Sequence, residues 1–198
     1  MKKWMTGWLL AAVLAGPGVQ SVLAKDTFDD EAPDAGAPEG YGVFGEELSD
    51  RGVTETTGFS GAQSACITVD FTGDKWGVIM LHNKGQWNAL GGAISAQVCA
   101  PLNLTAKKPM VAFKLIDADG TGVRTPDAKL FLPGPEWTLL TQPVAQLTLV
   151  EEPGSVPGLD LEHIVQYGLV FYDQGDIDVV INFFVDDVDL TAGVAATP

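Results

Sequence analysis

The chain has 198 residues, 46% of them hydrophobic and 19% charged, with 26 acidic side chains against 11 basic and a net charge of −15. That length suits one domain with a substantial core. The acidic balance disfavours nucleic acid and anionic membrane as partners, and it leaves carboxylates available for Ca²⁺ or simply for solubility.

Residues 1–24 read as a secretory signal. Lys2 and Lys3 form a charged start, Trp8 to Ala15 a short apolar run, and Val22-Leu23-Ala24 a small-residue cleavage pattern. The run is too short to span a bilayer, and no later stretch approaches the roughly 20 apolar residues a span needs. No Cys follows the signal, so a lipid anchor is not expected. The expectation is a secreted or periplasmic domain. Without the signal, 26 acids face 9 bases.

Residues 25–58 are rich in Gly, Pro, Ala and acids, and read as an exposed irregular segment. Thr27-Phe28-Asp29 is the exception, because a lone Phe among acids suggests local docking. From residue 59 to 191 the pattern is strands and turns. The predicted strands are 65–71, 75–82, 92–99, 109–117, 129–132, 137–142, 165–172 and 177–190, separated by Gly-Asp, Asp-Gly, Asn-Lys-Gly and Pro-Gly signals. Leu159 to Ile164 could form one helical turn. Residues 192–198 form a tail. Short strands with such turns predict an all-β, antiparallel sandwich or jelly roll.

Cys66 and Cys99 both fall on the polar phase of their strands, and export makes a disulfide between them the expectation. Asp117-Ala118-Asp119-Gly120 begins like a calcium loop but lacks the later acids, so it reads as a hairpin turn. In the last strand Ile177, Val179, Ile181, Phe183 and Val185 alternate with mostly polar partners, and then Val188 and Leu190 fall one step out of phase. A bulge at Asp186-Asp187 restores a single buried face. That carboxylate pair is either an acidic guard on an edge strand or half of a calcium site.

Several motifs occur in a telling order. Phe28-Asp29 is followed by Gly61-Ala62-Gln63-Ser64-Ala65-Cys66-Ile67-Thr68-Val69. Next come Lys114-Leu115-Ile116-Asp117-Ala118-Asp119-Gly120, Glu136-Trp137-Thr138-Leu139-Leu140, and Asp160-Leu161-Glu162-His163-Ile164. Phe184-Val185-Asp186-Asp187-Val188-Asp189-Leu190 closes the series. This order resembles the galactose-binding-like jelly-roll carbohydrate-binding modules attached to cellulases, and the related domains of complex I assembly factors. The resemblance covers roughly residues 26–191. It implies a two-sheet sandwich with a structural calcium, held by Asp29 (with Asp30 a further candidate), by Asp186, and by backbone oxygens near Ser60-Gly61. It departs from the family pattern in having Asp where many members have Glu, and in the acidic insert that follows. It also implies that Trp137 is a core residue.

Sugars present apolar C–H faces that flat aromatic rings can cover. Trp76, Trp87 and Tyr172 are the candidate platforms, with Lys114 and Asn182 as hydrogen-bonding partners. Packing or plain exposure is the competing reading for each. His82 reads as a turn residue and His163 as a cap or surface group. The expected function is non-catalytic binding of a poly- or oligosaccharide. The alternatives are a structural or adhesive protein-interaction domain, and a small jelly-roll glycanase or lyase. Catalysis is disfavoured because no glutamate sits mid-strand on a polar face. Clustering of Trp76, Trp87 and Tyr172 on one open face would favour sugar binding, and their burial or dispersal would favour the protein-interaction domain.

Overall fold

The computed structural model describes residues 21–29, 37–45, 47–54, 58–72, 77–101, 109–172 and 178–193. Trp76 and Asp30 lie outside them. The strands are β1 (Ser21–Asp26), β2 (Tyr41–Phe44), β3 (Leu48–Thr54), β4 (Ser64–Asp70), β5 (Gly77–His82) and β6 (Ala93–Cys99). They continue with β7 (Met110–Asp117), β8 (Gly122–Arg124), β9 (Thr138–Pro143), β10 (Leu149–Glu152), β11 (Ile164–Tyr172) and β12 (Val180–Ala192). The first sheet runs β3-β4-β12-β6-β9, with β1 also on β12; the second runs β10-β8-β7-β11-β5-β2. Every strand pair is antiparallel. The fold is an antiparallel β-sandwich, as the strand and turn pattern predicts.

Period-two alternation builds the core. Ile181, Phe183 and Val185 of the first sheet face Val111, Phe113, Leu169 and Phe171 of the second, all fully buried. Phe171 and Phe183 meet across the layers with ring centroids 4.6 Å apart. Each such ring contributes about 1.5–3 kcal/mol through its buried apolar surface. Phe28 joins this core with no exposure and packs on Tyr41 at 5.6 Å. Its left-handed φ of 59° turns the chain there, and Asp29 follows directly. The docking expected of this motif is present.

The predicted bulge is also present. The β12–β6 register shifts between Asp186 and Asp189, and Asp187 takes φ 48°. Val188 and Leu190 are thereby buried together with Ile181, Phe183 and Val185.

Four expectations need correction. The acidic segment 25–58 is not all irregular, because it contains β2 and β3; Tyr41 and Val43 alternate inward, a signal that Gly and acids obscure. Residues 129–132 form no strand, since a 3-10 turn covers Asp127–Lys129 and only Phe131 makes a bridge, to Val111. Residues 159–163 form an irregular stretch and one turn, with no helix, and Ile164 already begins β11.

The fourth correction concerns the cysteines. Both are free thiols. Phe184 pairs with Cys66 on one side and with Cys99 on the other, so β12 lies between them. Two inter-strand spacings put their Cα atoms roughly 9–10 Å apart, beyond the about 7 Å that a disulfide tolerates. Cys99 instead donates to the Pro135 carbonyl at 3.2 Å, and burial pushes its thiol pKa up. Alkylation of the oxidised, denatured protein is expected to label both cysteines. A single intramolecular disulfide in a mass spectrum would contradict the strand order.

Candidate ligand-binding face

A sheet that packs on one side only should carry solvated side chains on the other. The second sheet does not. On its outward face Ala112 is 0%, Lys114 1%, Val170 3% and Tyr172 9% exposed. The register shows how they lie together. One row crosses Phe44, Ile79, Val170 and Ala112. The next crosses Gly42, Leu81, Gly168, Lys114 and Arg124. A third crosses Gly77, Tyr172 and Met110. Ala112, Val170 and Tyr172 form a small apolar cluster of their own, flanked by half-buried Ile79, Met110 and Leu130. Phe44, at the β2 edge, is 50% exposed.

A charged corner adjoins this strip. Lys114 Nζ donates to Glu151 Oε2 at 2.9 Å and to Glu152 Oε1 at 2.6 Å. Arg124 Nε donates to Glu151 Oε1 at 2.5 Å, and its Nη1 reaches Asp127 at 2.8 Å. The register of edge strand β10 shifts between Val150 and Glu152. That bulge accounts for two successive glutamates reaching one ammonium, since regular alternation would send them to opposite faces. Burial pulls the Glu151 carboxyl upward, but Lys114 and Arg124 outweigh it and hold the carboxyl below its ordinary range. The Arg124 guanidinium lies 4.9 Å from the centroid of the Tyr172 ring, and the Tyr172 hydroxyl donates to Glu151 at 3.3 Å. Burial first, and then the Glu151 charge, pushes the Tyr172 phenol well above its usual value.

Of the five residues expected to meet a ligand, Lys114 and Tyr172 share this face. Arg124 occupies one side of the Tyr172 ring, so that ring is no open platform. Trp87 is elsewhere, half-buried at the core margin, with its ring 4.9 Å from Tyr167 and 5.3 Å from His82. Asn182 is exposed on the opposite sheet, where it accepts from Thr68 Oγ1 at 3.0 Å. Trp76 lies outside the described residues; the next residue, Gly77, pairs with Tyr172. Trp137, expected in the core, is half-buried outside it and pairs with Phe59 at 5.9 Å. Phe44, Arg124, Glu151 and Glu152 were not anticipated. Val43-Phe44 sits in Gly-rich, acidic sequence that hides a strand, and a bulge leaves no period to read.

The two histidines should titrate on opposite sides of 6.5. His82 stacks on Tyr167, and burial lowers its pKa, with Lys84 adding to the effect. His163 Nδ1 lies 2.7 Å from Asp160 Oδ2, which raises its pKa. Two-dimensional NMR titration is expected to show His82 losing its proton first as pH rises. Asp160→Asn should bring His163 down toward the ordinary value and leave His82 alone. A reversed order would contradict both environments.

Asp29 and Asp186 converge on one turn from opposite ends of the chain. Asp186, fully buried, accepts from the Phe59 and Ser60 amides at 2.8 and 3.0 Å and from the Asp187 amide at 2.7 Å. Asp29 Oδ1 accepts from the Ala62 and Gln63 amides at 3.1 and 3.2 Å, and a Cβ on Gly61 would overlap its carboxylate. Burial raises the Asp186 pKa, and the three amides offset this only in part. A calcium shell needs six to eight oxygens. The hydrogen bonds that these two carboxylates accept come from backbone N–H groups. Among the described residues no cluster of three or more Asp, Glu, His or Cys could hold a metal. Each carboxylate accepts backbone amides of this turn, which makes a carboxylate–amide clasp between an early and a late segment of the chain.

No known family's sequence profile matches the chain, and no characterised protein matches it in sequence. Solved structures do match in shape. The family 11 carbohydrate-binding module of the cellulosomal cellulase Lic26A-Cel5E of Clostridium thermocellum superposes with TM-score 0.56 at 14% identity, over 90% of this chain and 97% of that one. The Clostridium thermocellum family 11 module in complex with a β-1,3-1,4-mixed-linked tetrasaccharide gives 0.54 at 13%, over 92% and 100%. The CBM22-1 xylan-binding domain of Paenibacillus barcinonensis Xyn10C gives 0.50 at 14%, over 92% and 100%. At such identities the likeness carries the fold alone, a two-sheet antiparallel β-sandwich.

Proposed function

We propose that this is an exported, non-catalytic carbohydrate-binding domain that holds a neutral oligosaccharide on the outward face of its second sheet. The observation that carries the proposal is the row of recessed apolar and charged side chains where a solvated surface would be ordinary. Phe44 offers an open ring, and Ile79, Met110 and Leu130 continue the apolar strip from it. Glu152, whose side chain is 50% exposed, offers carboxylate oxygens to sugar hydroxyls. Lys114 and Arg124 are each balanced by carboxylates. A uronate would have to displace Glu151 or Glu152 to reach them, so the face suits an uncharged chain. Binding is expected to be weak per site, because solvated hydroxyls are exchanged for contacts of similar strength.

The ligands of the structural neighbours, a mixed-linked tetrasaccharide and xylan, are the first probes. Phe44→Ala and Glu152→Gln are each expected to weaken binding about tenfold, equivalent to about 1.4 kcal/mol, with the unfolding midpoint little changed. Unaltered affinity in both variants would move the site off this face.

One observation favours a second reading, a domain that contacts another extracytoplasmic protein. Trp87, Tyr172 and Asn182 are dispersed, and Phe59, Trp137 and Leu139 stand partly open on the other sheet's side. Failure to bind any neutral glycan, together with capture of a protein partner lost in Leu139→Asp, would favour that reading.

A further inference from the structure

The turn joining β7 to β8 and the loop joining β10 to β11 meet at one end of the sandwich. Asp117, 1% exposed, ties them together. Its Oδ1 accepts from the amides of Asp119 and Thr121 at 3.1 and 2.9 Å, and its Oδ2 accepts from the Asp160 amide at 2.8 Å. Asp119 reaches the other way, with Oδ2 accepting from the Val156 amide at 2.6 Å. Gly154 lies so close to Asp119 and Thr121 that a Cβ there would overlap both. Between these braced loops lies a cleft of about 390 Å³ lined by Asp119, Val156, Pro157, Leu159, Asp160 and His163. That is within the range of small-molecule sites, about 300–1,000 Å³.

The lining has two characters. Val156, 61% exposed, with Leu159 and Pro157, forms an apolar wall. Asp160 and His163, joined at 2.7 Å, form a polar edge with side chains 54% and 53% exposed. That bond occupies Nδ1 and leaves Nε2 as the ring's remaining hydrogen-bonding atom.

We infer that this cleft is a second ligand site, which takes a single neutral sugar unit with its C–H face on Val156 and Leu159 and its hydroxyls on Asp160 and His163. Three carboxylates against one imidazole disfavour an anion. A metal ion is disfavoured because Asp117 is saturated by amides, Asp119 is engaged by Thr121 and Val156, and no metal-holding cluster occurs among the described residues. The ligand class rests on the carbohydrate-binding reading above; the location does not, because no residue of the sheet face lines this cleft.

The test is amide NMR of the full chain titrated with glucose, with xylose and, separately, with CaCl₂. One of the two sugars at millimolar concentration should give saturable shifts confined to residues 117–121 and 154–163. Asp160→Asn and His163→Gln should weaken them about tenfold with the fold intact by thermal unfolding, and Glu152→Gln should leave them unchanged. Three outcomes would overturn the inference: no saturable shifts with either sugar, equal shifts in Asp160→Asn and the parent, or the same shifts from CaCl₂. Loss of oligosaccharide binding in Glu152→Gln, with the monosaccharide shifts retained, separates this site from the sheet face.

Discussion

Asp186→Ala is expected to cost about 3–4 kcal/mol of stability, because three backbone N–H donors in a part-buried turn lose one fully buried carboxylate acceptor, and each donor left unsatisfied costs about 1–3 kcal/mol. Those donors belong to Phe59, Ser60 and Asp187. For a chain of this size that is a fall of roughly 10 °C in unfolding midpoint. The loss should be structural as well as energetic, since the 58–63 turn is held to the end of β12 through this group. Asp186→Asn keeps an oxygen facing Phe59 and Ser60, and is expected to lose less than half as much. The clasp accounts for the effect without an ion, so the gap between parent and variant should be equal in EDTA and in CaCl₂. A midpoint that rises with Ca²⁺ in the parent and not in Asp186→Ala would instead establish the calcium that the family resemblance implies, with Asp29 and Asp186 as its carboxylates.

Lys114→Ala should be nearly as damaging, at about 3 kcal/mol, the lower end for breaking a buried ion pair. Lys114 is 2% exposed at its side chain and bonds two glutamates, so its removal leaves Glu151 with Arg124 and Tyr172 as partners and one oxygen facing a cavity. Glu152 is half-exposed and can turn to water, which tempers the loss. Lys114→Met keeps the stem packing, and the difference between the two variants separates packing from charge. The pH dependence has a definite sign. The Glu151 carboxyl is held below its ordinary value of 4.5 by Lys114 and Arg124 against the pull of burial. A depressed carboxyl contributes stability above its unfolded pKa and loses it as pH falls through the folded value. The gap between parent and Lys114→Met should therefore be widest near neutrality and close in acid. A gap that grows below pH 4 would contradict the pairing.

Alternation made the inner faces legible: Ile67, Val69, Phe113, Leu169 and Phe183 are buried where period two puts them. The bulge at Asp186-Asp187 was legible because it flips the phase of Val188 and Leu190. The cysteine pairing was not, because strand phase says which side a thiol is on but not how many strands separate it from another. Here the intervening strand is the last one in the chain. Lys114 and Tyr172 could be singled out as polar members of long strands, but not the partners that close over them. Glu151 and Glu152 reach the site through an irregular edge strand, and Arg124 through a strand of three residues. Trp87 read as a platform from its Gly-rich, polar setting and Trp137 as core from the family resemblance, and both settle at margins that depend on loops the pattern does not specify.

The most direct measurement is calorimetric titration of the parent, Phe44→Ala and Glu152→Gln proteins with the β-1,3-1,4-mixed-linked tetrasaccharide and with a xylan oligosaccharide, alongside amide shifts. Saturable binding of at least one neutral glycan is expected, with shifts centred on Phe44, Ile79, Met110–Lys114 and Gly168–Tyr172, and with affinity weakened about tenfold in both variants. Absence of binding to either glycan by the folded protein, or shifts confined to the opposite sheet, would contradict it.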